Sequence, residues 1–244
     1  MTQQYIPARA MFIYAHPDDI EFGVAGTAAK WARHGSDVTY VVLTDGNVGT
    51  HDPELTQEGL AEIRRTEQTA AANVAGVTRC LYLGYHDGLL EPSLELRKQL
   101  VQLIRTYKPN AVVCGDPAMY FRGDRINHPD HRAAAKAAID AVFPACEMRL
   151  LYPDLLAAGL EPHKVNYVYI STFEDANYYV DISETIELKL KALREHKSQL
   201  GEWDPEERIK GWNSELGRKV GFAYAEVYRR MTIHEPEPPA ISHQ

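Results

Sequence analysis

Residues 10–23 read AMFIYAHPDDIEFG, an unbroken apolar run of six residues followed within eight positions by one imidazole and three carboxylates. A short continuous run of apolar and aromatic residues is the pattern of a strand buried on both faces. Ionisable groups are costly in such a strand, so His16, Asp18, Asp19 and Glu21 mark the point where the chain leaves it. Downstream the alternation repeats. A helical pattern at 26–35 stops at Gly35, and DVTYVVLTDG (37–46) is a second strand ending in turn residues. A helix over 58–76, a strand at 79–85, a helix over 93–109 and a strand at 110–117 follow.

The pattern continues with a small-residue helix at 131–143, strands at 166–173 and 177–183, and a helix over 184–200. Strands alternating with helices predict an α/β fold: a doubly wound, Rossmann-like single domain over 1–244, with a mostly parallel sheet flanked by helices. GFAYAEVYRRM (221–231) reads as a core helix or an interface, and the Pro-rich end, 235–244, as a flexible tail. In such a sheet ligands bind beyond the carboxyl ends of the strands. HPDD (16–19), TDG (44–46), YHDG (85–88) and the segment 115–131 all fall at that edge.

Composition narrows the function. With 26 Lys and Arg against 34 Asp and Glu, the chain carries a formal charge of −8, which disfavours nucleic acid as a partner. No apolar run approaches the length that spans a bilayer, and the N-terminus lacks a signal-like core, so no membrane association and a cytoplasmic location are expected. The three cysteines, Cys80, Cys114 and Cys146, are widely spaced in apolar contexts and read as free thiols.

Two segments carry the chemistry: His16-Pro17-Asp18-Asp19 and His128-Pro129-Asp130-His131. A catalytic metal with an open position needs three protein ligands, and His with Asp is a suitable set. His16 and Asp19 can face one ion from a tight bend that Pro17 helps to hold, with His128 or His131 as third ligand. Asp18 is then left over as a general base beside a metal-bound water, and Asp130 would orient a histidine. Taken singly, each segment is more often a turn or a helix cap than a metal site, with Asp18 capping the following helix. Capping does not explain why both carry imidazoles.

The pair AHPDDIEFG and HPDHRAAA resembles the zinc-dependent deacetylases of the LmbE-like (PIG-L) superfamily, over roughly residues 9–231. The segments 44–67, 181–199 and 221–231 resemble its diacetylchitobiose deacetylase branch, with the bacillithiol-pathway deacetylases close behind. The resemblance implies removal of acetyl from an N-acetylglucosamine-type sugar, a small amino-sugar partner, and a homo-oligomer, trimer or hexamer. It implies Zn2+ on His16, Asp19 and His131, Asp18 as general base, and His128 assisting the tetrahedral intermediate with Asp130 behind it. By position, Arg64 and Asp87 would grip sugar hydroxyls. From the residues alone, Arg64 could instead pair with Glu67 on a helix surface, and Asp87 could simply make a turn with Gly88.

The chain departs from the family pattern in places. Ile20 stands where many relatives have glutamate, and Glu21 follows it. Ile126 occupies the place of a tyrosine that polarises the carbonyl in some relatives, with Tyr120 and Arg122 upstream. His234 is a candidate, by location only, for entering a neighbouring subunit's site. Fe2+, Co2+ or Ni2+ would suit the same ligands. Competing readings are a de-N-acylase of a thiol-sugar or antibiotic amide, and a non-catalytic metal- or carbohydrate-binding protein. A dinucleotide-dependent oxidoreductase is disfavoured, because Gly23 and Gly26 do not form G-x-G-x-x-G. The loops 46–58 and 116–127 are expected to build the pocket for the rest of the substrate.

Overall fold

The computed structural model describes residues 4–236; most of the expected tail, 237–244, lies outside them. The first strand, β1 (Arg9–Tyr14), is buried from Ala10 onward, as its apolar run requires. Its side chains alternate between the two faces of the sheet. Ala10, Phe12 and Tyr14 join one apolar core, while Met11, Ile13 and Ala15 join the other. A strand with a core on each side must be covered by helices on each side. That is the doubly wound arrangement.

The chain then runs through α1 (Asp19–Gly23), α2 (Ala25–Arg33), β2 (Asp37–Thr44), α3 (Gln57–Val74), β3 (Arg79–Tyr85), α4 (Leu94–Tyr107) and β4 (Ala111–Cys114). A two-stranded hairpin, β5 (Phe121–Arg122) with β6 (Arg125–Ile126), precedes α5 (Pro129–Asp140). After it come α6 (Pro153–Ala157), β7 (Tyr167–Ser171), β8 (Tyr178–Asp181), α7 (Ile186–Leu193), α8 (Lys197–Leu200), α9 (Glu206–Arg218) and β9 (Ala225–Thr232). Among the described residues seven strands form one sheet in the order β3-β2-β1-β4-β7-β9-β8. The pairs from β3 to β7 are parallel, and β9 is antiparallel to both β7 and β8.

The sequence order reverses direction between β1 and β4, which makes the crevice beyond their carboxyl ends the topological switch point. The His16–Asp19 bend leaves β1 there, and the segment leading to α5 leaves β4 there. The expected convergence of the two His-Pro-Asp segments is therefore a consequence of strand order.

Three expectations are corrected by the structure. Residues 225–232 form the strand β9 and not a helix; Ala225 to Tyr228 are buried between two neighbouring strands. The amphipathic helix of this region is α9, which the sequence reading left unassigned. The long helix expected over 184–200 divides at Arg194–His196 into α7 and α8. The small-residue helix starts at Pro129, two residues earlier than read, and loosens into a wide turn at Ala141–Ala145, where Pro144 has no N–H to donate. Cys80, Cys114 and Cys146 are free thiols, each pushed up to about 12 by burial. Among the described residues no helix is long and apolar enough to cross a membrane.

A buried ion pair ties the antiparallel edge to the helix behind β1. Lys189 Nζ lies 2.6 Å from Glu226 Oε1 and also donates to the Gly23 carbonyl. Glu226 accepts from the backbone N–H of Gly26 at 3.0 Å and of Thr27 at 2.7 Å, so it caps the start of α2. Removing one member of such a pair leaves an uncompensated buried charge. Lys189→Met is expected to cost about 3–5 kcal/mol in urea unfolding; a loss below about 1 kcal/mol would show that the pair is not a structural tie.

Candidate metal and catalytic site

The bend after β1 is closed by its own residues. Asp19 N–H donates to the His16 carbonyl at 3.3 Å, and the His16 N–H donates to Asp19 Oδ2 at 2.8 Å. Between them Asp18 takes a left-handed conformation, φ 95°, which aspartate tolerates better than most residues. Asp18 stands at the start of α1 but its side chain makes no cap hydrogen bond. Its carboxylate instead accepts from Arg64 Nη2 at 3.1 Å. The capping explanation for Asp18 therefore does not hold.

The second segment enters from β4. His128 occupies the N-cap of α5, where its Nδ1 accepts the Asp130 N–H at 3.2 Å. A neutral His128 ring consequently carries its proton on Nε2. His131 lies one turn into the helix, with Nε2 3.0 Å from Asp19 Oδ1 and Nδ1 3.1 Å from Asn127 Oδ1. The three imidazoles bring one nitrogen each within 4.8 Å of one another. His16 Nδ1 is 3.4 Å from Asp19 Oδ2, whereas its Nε2 faces Asp87 Oδ1 at 3.0 Å and Asp130 Oδ2 at 3.3 Å.

These contacts sort the ring atoms. His16 gives Nε2–H to carboxylates and His131 gives Nδ1–H to an amide oxygen, so in the neutral rings the lone pairs are on His16 Nδ1 and His131 Nε2. Both face Asp19. Hydrogen bonds of this kind on the far nitrogen are how proteins orient metal-binding histidines. Two ligand atoms about 2.0–2.2 Å from one tetrahedral ion stand roughly 3.3–3.6 Å apart. Asp19 makes contacts of about this length to both rings, through Oδ2 to His16 Nδ1 at 3.4 Å and through Oδ1 to His131 Nε2 at 3.0 Å. In donor type and proximity His16, Asp19 and His131 suit a divalent ion.

The electrostatics agree. Burial lowers the His16 imidazole, but hydrogen bonds to Asp130, Asp19 and Asp87 overcome it and lift the group to about 12. His131 is raised, first by the charge of Asp19. Burial works against the Asp19 carboxylate, yet His131 and His16 hold it well below the usual range. The carboxylates have thus assembled around positive charge, which two protonated imidazoles or one divalent ion can supply. Asp18 differs: desolvation pushes it up to about 6, and Arg64 only partly offsets this.

Two of the expected site residues make further contacts. Asp130 is buried and serves His16 Nε2 and the N–H groups of Gly88 (2.7 Å) and Leu90 (3.3 Å); its contact with His128 Nδ1 is 4.0 Å. Arg64 is only 3% exposed, which excludes the surface pairing with Glu67. Its guanidinium holds the carbonyls of Pro17 and Gly46 as well as Asp18. Asp87 is buried against His16, though its Oδ2 has Arg64 Nη1 only at 4.0 Å. His234 contacts Glu147 Oε1 at 2.5 Å beside Asn166, at the amino end of β7 and so at the opposite edge of the sheet.

A cavity of about 230 Å³ opens from Asp19 and His131 and extends to Phe173 and Trp212, with Phe22 and Met119 in its walls. Of the two loops expected to shape the pocket, 116–127 contributes Asp116, Met119 and Asn127, whereas no residue of 46–58 lines this cavity. Sequence reading missed Asn127, although it lies one helical turn before His131, the spacing at which side chains meet. It also missed Phe173 and Trp212. Nothing local marks them, because they come from β7's exit and from α9.

The family model for GlcNAc-PI de-N-acetylases (PIG-L) matches residues 11–142, more than half of the chain. Diacetylchitobiose deacetylase of Thermococcus kodakarensis is 37% identical over 226 residues, covering 91% of this chain and 82% of that protein. A probable N-acetyl-alpha-D-glucosaminyl L-malate deacetylase 2 of Bacillus anthracis is 29% identical, covering 78% and 80%. Among solved structures, N,N'-diacetylchitobiose deacetylase from Pyrococcus horikoshii in complex with the inhibitor MPG superposes with a TM-score of 0.86 at 34% identity, covering 93% of this chain and 84% of that one. With the matched region spanning both His-Pro-Asp segments, the chain belongs to the PIG-L family of de-N-acetylases.

Proposed function

We propose that this protein is a divalent-metal-dependent amidohydrolase that removes acetyl from an N-acetylglucosamine-type sugar, giving acetate and the free amine. The observation that carries this reading is the division of labour between adjacent aspartates. Asp19 reaches both His16 and His131, while Asp18 is held away from them by Arg64. His16, Asp19 and His131 would hold the ion. Zinc suits this set, and Fe2+, Co2+ or Ni2+ fit the same donors. When bound, such an ion polarises the amide carbonyl and lowers the pKa of water.

The side chains do the rest. Asp18, its ionisation tuned toward neutrality, takes the proton from the attacking water and later returns it to the leaving amine. His128, with Nδ1 occupied by the Asp130 N–H, presents Nε2–H to the carbonyl oxygen as negative charge develops. Asp130 and Asp87 hold His16 in orientation. Asp87 retains acceptor capacity for a sugar hydroxyl, whereas the contacts of Arg64 support a positioning role on Asp18. The cavity between His131 and Trp212 takes the sugar, whose C–H face packs on aromatic rings.

The test is acetate release from N-acetylglucosamine, diacetylchitobiose and N-acetylglucosaminyl malate, on protein analysed for metal. Release from at least one, abolished by a chelator and restored by Zn2+, is expected; release indifferent to chelation would overturn the metal reading. Asp18→Asn is expected to keep its metal and lose about 10²–10⁴ in kcat, whereas His131→Ala is expected to lose the metal itself, as read by elemental analysis. Trp212→Ala is expected to raise KM about tenfold with kcat little changed, the pattern of lost uniform binding. A fall in kcat without a change in KM would place the sugar elsewhere.

A further inference from the structure

Beneath the Asp18 turn lies a row of polar side chains for which the hydrolytic steps have no use. Glu21, Gln68 and His196 are each 0% exposed, and they come from α1, α3 and the break between α7 and α8. Gln68 Oε1 accepts the Asp18 N–H at 2.9 Å. Gln68 Nε2 donates to both oxygens of Glu21, at 3.1 and 3.2 Å, and Glu21 Oε2 lies 3.2 Å from His196 Nε2. With Nε2 of Gln68 against both Glu21 oxygens, the amide is oriented by Glu21. Its Oε1 is thereby turned to the Asp18 N–H.

An apolar trio would fill this space at lower desolvation cost, and a polar chain hydrogen-bonded from the Asp18 N–H to His196 Nε2 is directional where an apolar one is adaptable, although His196 Nδ1 has no partner. The place where that directionality is delivered is specific. Asp18 is one of three residues other than glycine with positive φ among the described residues. Its N–H lies ahead of the first turn of α1, so no helical carbonyl accepts it. Gln68 stands four residues after Arg64 on α3, so one face of that helix grips Asp18 twice: Arg64 holds the carboxylate and Gln68 the backbone.

We infer that Gln68, clamped by Glu21 and His196, is a positioning residue that fixes the left-handed turn at Asp18 and so sets the direction of its carboxylate. The inference rests on the reading of Asp18 as general base. His196 is the far anchor, and through it the α7–α8 break bears on the site although none of its residues touches the metal ligands in the contacts described above. Misplacing a reacting group by about 1 Å costs on the order of 10²-fold in rate, so the turn needs a directional holder.

A double-mutant cycle tests this. Gln68→Met keeps the length of the side chain and removes all three of its hydrogen bonds; Glu21→Gln keeps an acceptor for Gln68 and serves as the conservative control. On metal-loaded protein, Gln68→Met is expected to lower kcat about 10–100-fold, with KM and bound metal unchanged, and Glu21→Gln to cost less than about threefold. In an Asp18→Asn background the Gln68→Met loss should vanish, because the residue acts through Asp18. An equal loss in both backgrounds, or a loss of metal on Gln68→Met, would overturn the inference and make the network a general scaffold. If Asp18→Asn alone leaves kcat near normal, the base assignment has failed instead, and the two failures are distinct. Should Gln68→Met not fold, Gln68→Asn, shorter by one methylene, is read in the same cycle.

Discussion

The contact between Asp19 and His131 is the interaction on which the site depends. One partner leaves β1 and the other lies a turn into the helix after β4, so their 3.0 Å approach closes the switch-point crevice. The Asp19 carboxylate, mostly withdrawn from water, needs a positive partner there, because a buried carboxylate without a cation is strongly disfavoured. His16 joins through the other oxygen of Asp19 and is in turn held by Asp87 and Asp130, which arrive after β3 and at the start of α5. Three strand ends are thereby drawn to one point. A set of charges that would repel or desolvate separately becomes self-consistent once a positive centre is among them.

Around that point the chain separates tasks that chemistry requires to be separate. Asp18 and Asp19 are neighbours in sequence, yet burial pushes one toward neutrality while two imidazoles hold the other ionised. The left-handed turn at Asp18 sends consecutive carboxylates in different directions. α3 stabilises this turn from below through Arg64 and Gln68. On the far side the wall of the cavity is formed by Phe173 and Trp212, which belong to the half of the chain that adds the antiparallel strand. The parallel half carries the groups proposed to react, and the remainder lines part of the cavity beside them.

The sequence was most legible where one physical signal acted alone. The apolar runs of β1, β2 and β4 had no competing explanation, and the strand at 79–85 was read with its observed ends. The stretch 221–231 misled because aromatic and apolar residues without clear alternation suit a buried strand and a buried helix equally. The pairing of β9 with β7 and β8 decided it. Arg64 was ambiguous for another reason: the reading left a site role and a surface charge pair both open, and only packing shows that this arginine faces inward.

What the sequence determined by itself was the alternation of buried strands and covering helices, the edge at which polar segments must gather, and the residue types able to bind a metal and move a proton. These follow from local pattern and from the chemistry of single side chains. What only the tertiary structure decided was partnership: that Asp130 serves His16 more than His128, that Arg64 holds Asp18, that Gln68, Glu21 and His196 form one buried row, and that α9 supplies an aromatic wall. Partnership is a matter of distance across the fold, and residues 46 to 175 positions apart carry no mark of each other until burial forces each polar atom to find its counterpart.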